Sequence, residues 1–217
     1  MALTKVRGKG VDGGTISTET AGTNNLILGS TAGDSIASGG NYNVCVGDTA
    51  GTAITTGDNN TAVGFEALST EDANGNNTAV GYRALKTLNA GAEGYNTAVG
   101  QDAGLSITTG VQNTLMGSGA GDALTDADDN VAIGRTALTS DTQGSRSVAI
   151  GTGTLQTQNH TSAANVNNIA IGYQAGGAIT TGQHNVLIGS LAGDAMTDAA
   201  NCVAIGLSAM TTNTRGN

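Results

Sequence analysis

Apolar and polar positions along this chain repeat one short pattern. Asn, a β-branched residue, a small residue, an aliphatic residue and Gly follow one another, as in Asn60-Thr61-Ala62-Val63-Gly64. The closing glycine returns at Gly29, Gly47, Gly64, Gly81, Gly100, Gly117, Gly134, Gly151, Gly172, Gly189 and Gly206, in steps of 18, 17, 17, 19, 17, 17, 17, 21, 17 and 17 residues. Eleven units thus run from residue 25 to the end of the chain. Four places before the glycine stands Asn25, Asn43, Asn60, Asn77, Asn96, Asn113, Asn130, Asn168 or Asn185, with Ser147 and Cys202 as exceptions. One place before it stands an aliphatic residue such as Val63, Val80, Val99 or Ile133.

The run is too short and too β-branched for a helix turn, and its residues favour strands. Alternation sends the Thr/Val and Val/Ile columns to one face and the small column, mostly Ala, to the other. Both faces are apolar, so both are expected to be buried. Each unit reads as one coil of a parallel β-solenoid, with like residue stacked on like. Asn60, Asn77, Asn96, Asn113 and Asn130 are expected to bond along the stack, as asparagine ladders do. Gly64, Gly81 and Gly100 mark turns that need positive φ or a close neighbour. The pairs after the turn, Phe65-Glu66, Tyr82-Arg83 and Gln101-Asp102, are expected to face outward. At ~4.8 Å per strand the rod is roughly 48 Å long. Seventeen residues enclose little, so the alanine face is expected to be covered by sister chains, with three-fold closure.

A longer period overlies the short one. Coils reading Ala-Gly after the turn come in pairs at Gly29/Gly47, Gly100/Gly117 and Gly172/Gly189, and coils reading Ala-Leu or Thr-Leu lie between. A four-coil block is duplicated; its physical purpose is not visible at this level.

Composition agrees with a thin core. There are 35 Gly, no Pro, no Trp, one Phe and four Tyr in 217 residues. Proline would delete ladder hydrogen bonds. A net charge of -9 argues against a nucleic-acid partner. Lys5, Arg7 and Lys9 form either a solvated arm or a docking peptide. No apolar run is long enough to span a membrane, and no signal-type apolar stretch follows Met1. Cys45 and Cys202 lie nine coils apart, about 43 Å, too far for a disulfide.

Candidate chemistry is sparse. His160, in the 21-residue step, and His184 read as solvated loop residues. Such a loop resembles that of trimeric left-handed β-helix acyltransferases, but their hexapeptide period is met only by VGFEAL (63–68). Asp126, Asp128, Asp129 and Asn130 are oxygen-rich, yet lack the order of a calcium loop and read as a polar turn. GSGAG (117–121) lacks the lysine and helix of a phosphate loop. Asn59, Asn76 and Asn159 head glycosylation triplets that a chain without a signal would not use. No catalytic set, cofactor site or metal site is expected.

The N-x-[AC]-[VI]-G-x-x-A pattern resembles the head repeats of YadA-like trimeric autotransporter adhesins. More closely, it is similar to the NTAVG..AL...TTG arrays of bacteriophage tail fibres. The resemblance covers about nine-tenths of the chain. It implies an all-β, left-handed parallel β-roll assembled as a homotrimer. The opening MALTKVRGKGVDGG resembles leads that attach phage fibres to other virion proteins, which sets residues 1–24 apart from a fibre domain at 25–217. The expected function is that of a non-enzymatic structural fibre in the virion's tail or capsid, without membrane insertion, meeting a host glycan or protein through Phe65, Tyr82 and Tyr173. Adhesin repeats are commonly shorter than 17 residues, and adhesins carry a signal, stalk and anchor. A bacterial cell-surface adhesin head is therefore the alternative, and a monomeric ice- or glycan-binding solenoid the alternative of another class.

Overall fold

The structure, a computed structural model, describes residues 16–17 and 20–214. Most of the lead at 1–24, including Lys5, Arg7 and Lys9, lies outside them. Among the described residues there is no helix. Eleven three-residue strands carry the repeat: β2 (Leu26–Leu28), β3 (Val44–Val46), β4 (Thr61–Val63), β5 (Thr78–Val80), β6 (Thr97–Val99), β7 (Thr114–Met116), β8 (Val131–Ile133), β10 (Val148–Ile150), β12 (Ile169–Ile171), β13 (Val186–Ile188) and β14 (Val203–Ile205). They pair in parallel and in chain order, one per coil. Register is uniform, with Val63 beside Val80 and Val80 beside Val99. At the N-terminal end β1 (Ile16–Ser17) lies antiparallel on β2. The 21-residue step spends its extra length on a second parallel pair, β9 (Gly144–Ser145) and β11 (Ala164–Asn165).

Left-handed backbone closes each coil. A Cβ added at any turn glycine from Gly29 to Gly189 would lie 2.3–2.7 Å from the next turn glycine's carbonyl oxygen. Glycine is therefore demanded by contact between coils as well as by φ. The residue just before each ladder Asn also has positive φ, as at Asn59 (58°), Asn76 (61°) and Asn167 (53°). Asparagine enters this region more readily than most residues, which accounts for the Asn-Asn doublets.

The alanine face is not where partner chains would reach. Cys45, Ala62, Ala79, Ala98, Leu115, Ala132, Ala149, Ala170 and Leu187 are fully buried inside their own chain. The interior is completed by the alanine three places after the turn, the residue after that, and a column seven places after the turn comprising Ile36, Ile54, Leu88, Ile107, Leu124, Ile179 and Met196. Two expectations are thereby corrected. The small residues need no sister chains, because the coil wraps them itself. The opposite face is only half-buried, because among the described residues no layer lies over Thr61, Val63, Thr78 and Val80.

The four-coil block has a packing purpose. Where Leu68, Leu85 or Leu138 follows the turn alanine, or Leu155 follows Thr154, the strand's inward residue is Ala62, Ala79, Ala132 or Ala149. Where glycine follows instead, large neighbours use its space: a Cβ on Gly104 would lie 2.8 Å from Leu115 Cδ1 and 2.9 Å from Leu85 Cδ2. Gly176 stands in the same way between Leu187 and Leu155. The block alternates where bulk enters a core that cannot hold it in every coil at every position.

The asparagine ladder forms as expected, with side chain bonding to backbone. Asn60 Oδ1 accepts from Asn77 N, Asn77 Oδ1 from Asn96 N, Asn96 Oδ1 from Asn113 N and Asn113 Oδ1 from Asn130 N, at 2.9–3.2 Å. Asn96, Asn113 and Asn130 Nδ2 also donate to a carbonyl 14 residues on, in the next coil. Each Asn thus staples two coils at two points, at about 1 kcal/mol per buried bond. Cys45 and Cys202 are free thiols, and burial pushes the Cys45 thiol up to about 12.

Candidate functional site

The outward column just after the turn carries Phe65 and Tyr82 on adjacent coils. Their rings stack at 5.7 Å between centroids and 12° between planes. Stacking of this kind contributes roughly 0.5–1.5 kcal/mol. The Arg83 guanidinium lies 4.8 Å from the Tyr82 ring centre, and Arg83 Nε lies 2.8 Å from Asp102 Oδ1. Lys86 pairs with Glu66 at 2.7 Å. These partly exposed ion pairs hold the column's surroundings in place and contribute little stability. Phe65 and Tyr82 are 43% and 45% exposed, so the outward placement expected for them holds. Tyr173 occupies the same column between Thr152 and Ser190, five coils from Tyr82, and stands apart from the pair. Tyr42 and Tyr95 are exposed as well, in the left-handed column before the ladder. Sequence reasoning passed over them; their place in a column otherwise rich in Asn was the available signal.

His160 contradicts its reading as a solvated loop residue. It is only 7% exposed and lies against Asp141, which is fully buried. Asp141 takes the seventh place after its turn, where most other coils carry Ile, Leu or Met, and caps the loop that follows. Its Oδ1 accepts from Gly144 N at 3.1 Å and from His160 N at 2.8 Å, and its Oδ2 accepts from Gln158 Nε2 at 2.5 Å. His160 Nδ1 stands 3.6 Å from Oδ2, close enough for ionic attraction and too long for a hydrogen bond. Gln158 also fills the gap that Ser147 leaves in the ladder, donating to Ser147 Oγ at 3.3 Å and accepting from Asn168 Nδ2 at 2.8 Å. Burial alone would raise the Asp141 carboxyl, but its donors from His160 and Gln158 outweigh burial and hold it below the ordinary carboxylate range. The Asp141 carboxylate raises His160 against the opposing effect of burial. The cluster is closed to solvent, and its chemistry is that of a structural clamp.

Other candidates resolve simply. His184 is exposed, as expected. Asp126 accepts from Thr109 Oγ1, Asp128 from Val111 N, and Asp129 lies 3.6 Å from Arg146 Nε. Those carboxylates bond to neighbouring coils as a polar turn should. In the glycine-rich turn, the amides of Gly119, Ala120 and Gly121 donate to Gln101, Gly117 and Ala137 carbonyls, which leaves no cradle for phosphate. A groove of about 330 Å³ runs beside Gln156, Thr157, Gln174 and Asp194. No known protein family, curated protein or solved structure matches the chain.

Proposed function

We propose that the chain is a non-enzymatic structural fibre module of a bacteriophage virion, assembled as a homotrimeric rod that projects toward a host receptor. One observation carries this reading: an unbroken, in-register stack of eleven coils whose outward strand face, mostly Thr or Val alternating with Val or Ile, is half-buried in most coils and exposed at Leu26, Met116, Ile169 and Ile171. With the alanines enclosed, this β-branched stripe is the apolar surface left for side-by-side association. The resemblance to phage fibre repeats supports the same assignment, and the lead at residues 1–24 is the proposed attachment to other virion proteins. Phe65 with Tyr82, and Tyr173 farther along, are the proposed receptor contacts, multiplied by three in the trimer. A trimeric adhesin head on a bacterial surface would use the same rod.

Light scattering is expected to give the mass of three chains, and Val80→Lys with Val99→Lys to reduce it to one. A wild-type mass of one chain defeats the trimer. Alanine at Phe65, Tyr82 and Tyr173 together is expected to weaken particle adsorption, and unchanged adsorption defeats the receptor assignment. The second reading, a monomeric ice- or glycan-binding solenoid, rests on Thr61, Thr78, Thr97 and Thr114, which stack on four successive coils beside Val63, Val80, Val99 and Met116. Thermal hysteresis from a monomer would favour it.

A further inference from the structure

Among the described residues, two enclosed side-chain atoms lack a hydrogen-bond partner, His160 Nδ1 and Asp194 Oδ1. The first belongs to the Asp141 clamp. The second belongs to a residue in the wall of the groove of about 330 Å³. A carboxylate oxygen enclosed without a donor is costly.

The same place one block earlier shows how the groove arises. Thr87 Oγ1 donates to the Leu105 and Ile107 carbonyls at 2.7 and 2.9 Å. Its counterpart, Thr157 Oγ1, donates to the Gly177 and Ile179 carbonyls at 2.8 and 2.9 Å. The backbone is thus alike in the two blocks, and the side chains on it differ. Arg83 is replaced by Gly153, Lys86 by Gln156, Asp102 by Gln174 and Leu105 by Gly177. In the earlier block Arg83 reaches across to Asp102 at 2.8 Å. In the later one that ion pair, the lysine and the leucine are all gone, and the space stands open. Only the acid is kept, as Asp122 and Asp194. Asp122 Oδ1 accepts from Thr139 Oγ1, whereas the matching Thr211 leaves Asp194 Oδ1 without a donor.

We propose that this groove binds a guanidinium group presented by another molecule. The Asp194 carboxylate supplies the charge, and its terminal torsion is soft and nearly two-fold, so either oxygen can turn to the ligand. Gln156 Oε1 supplies a second acceptor beside the bare Gly153, where an added Cβ would lie 3.0 Å from it. A guanidinium carries only donors, in a planar fork that meets a carboxylate with two parallel bonds. An ammonium is a compact point charge and uses such a set of acceptors less fully. Among the described residues no Lys or Arg lines the groove, and the chain's charge of -9 attracts cations. The ligand supplies from outside the kind of group that Arg83 supplies from within.

The full chain is titrated with methylguanidinium, with neutral N-methylurea and with the tripeptide acetyl-Gly-Arg-Gly-amide, while NMR follows the side-chain amides of Gln156 and Gln174. Asp194→Asn and Gly153→Arg are run alongside, with circular dichroism to check the fold. The backbone accepts the second change, since Arg83 already stands at φ 54° where Gly153 has 67°. Methylguanidinium is expected to move both amide signals to saturation, with a Kd of millimolar order. Asp194→Asn should weaken this at least about tenfold, Gly153→Arg should abolish it, and the urea should move nothing. No saturable shift in wild type overturns the proposal, as do equal shifts in folded Asp194→Asn or with the urea. A tripeptide that binds as well as methylguanidinium marks an arginine of a partner protein as the ligand; one that is excluded while methylguanidinium binds marks a free small cation.

Discussion

Glu71 and Asp141 hold the same place in successive four-coil blocks, 70 residues apart, and both are fully buried where most other coils place Ile, Leu or Met. Each caps its own loop and reaches the coil beyond. Glu71 Oε1 accepts from Asn74 N and Asn74 Nδ2, and Oε2 accepts from Ala90 N at 3.3 Å. Asp141 takes the equivalent amides, Gly144 N and His160 N, then adds Gln158 and the His160 ring. Around the first acid the coil supplies Asn77, Leu88 and Ala90; around the second it supplies Ser147, Gln158 and His160. A shared backbone need is thus met in two ways. The longer acid relies on backbone and Asn donors beneath an intact ladder, and the shorter one is knitted into the residues that repair a broken ladder.

Substitutions at the second acid should hurt most. Asp141→Ala strands two amides, Gln158 and His160 in a closed loop, and is expected to cost about 4 kcal/mol, or ~10 °C in a thermal melt followed by circular dichroism. Glu71→Ala strands fewer donors and should cost about 2 kcal/mol; equal losses at the two sites would erase the distinction. Converting the second site into the first, with Asp141→Glu, Ser147→Asn, Gln158→Leu and His160→Ala together, should leave stability within about 1 kcal/mol of wild type. A collapse of that variant would show that the longer loop imposes its own demands. The smallest effect is a pH slope. His160 is raised, so its contribution is complete below the ordinary histidine value near 6.5 and is lost as pH rises through the native value. Asp141 is lowered, so its contribution is present above the ordinary carboxylate value and is lost as pH falls through the native one. Denaturant melts at pH 6 and pH 9 should therefore show wild type losing stability with alkalinity while His160→Gln does not.

The coil, the register and the ladder were legible because identical neighbours force identical residues, as at Asn60, Asn77 and Asn96. The inside of the coil was harder to see. Ala62 and Val63 are both apolar, and only the closed path of the chain decides which of them it surrounds. The clamp was obscured by the 21-residue step, which made His160 resemble a loop residue. A signal was present nonetheless: Asp141 aligns with Glu71 in a column of Ile36, Ile54, Ile107 and Ile179, and an acid at such a position must find donors. The role of the four-coil block needed side-chain positions, since Gly104 is filled by residues from the coils on either side.

That interlocking of bulk and glycine gives the rod a natural unit of growth. Loss or gain of a single coil would leave a leucine or glycine coil without its like neighbour, or set three alike together. Loss or gain of a whole block rejoins matched surfaces. Variants of this protein should therefore tolerate changes in length of about 19 Å at a time, four strand spacings, and resist anything finer.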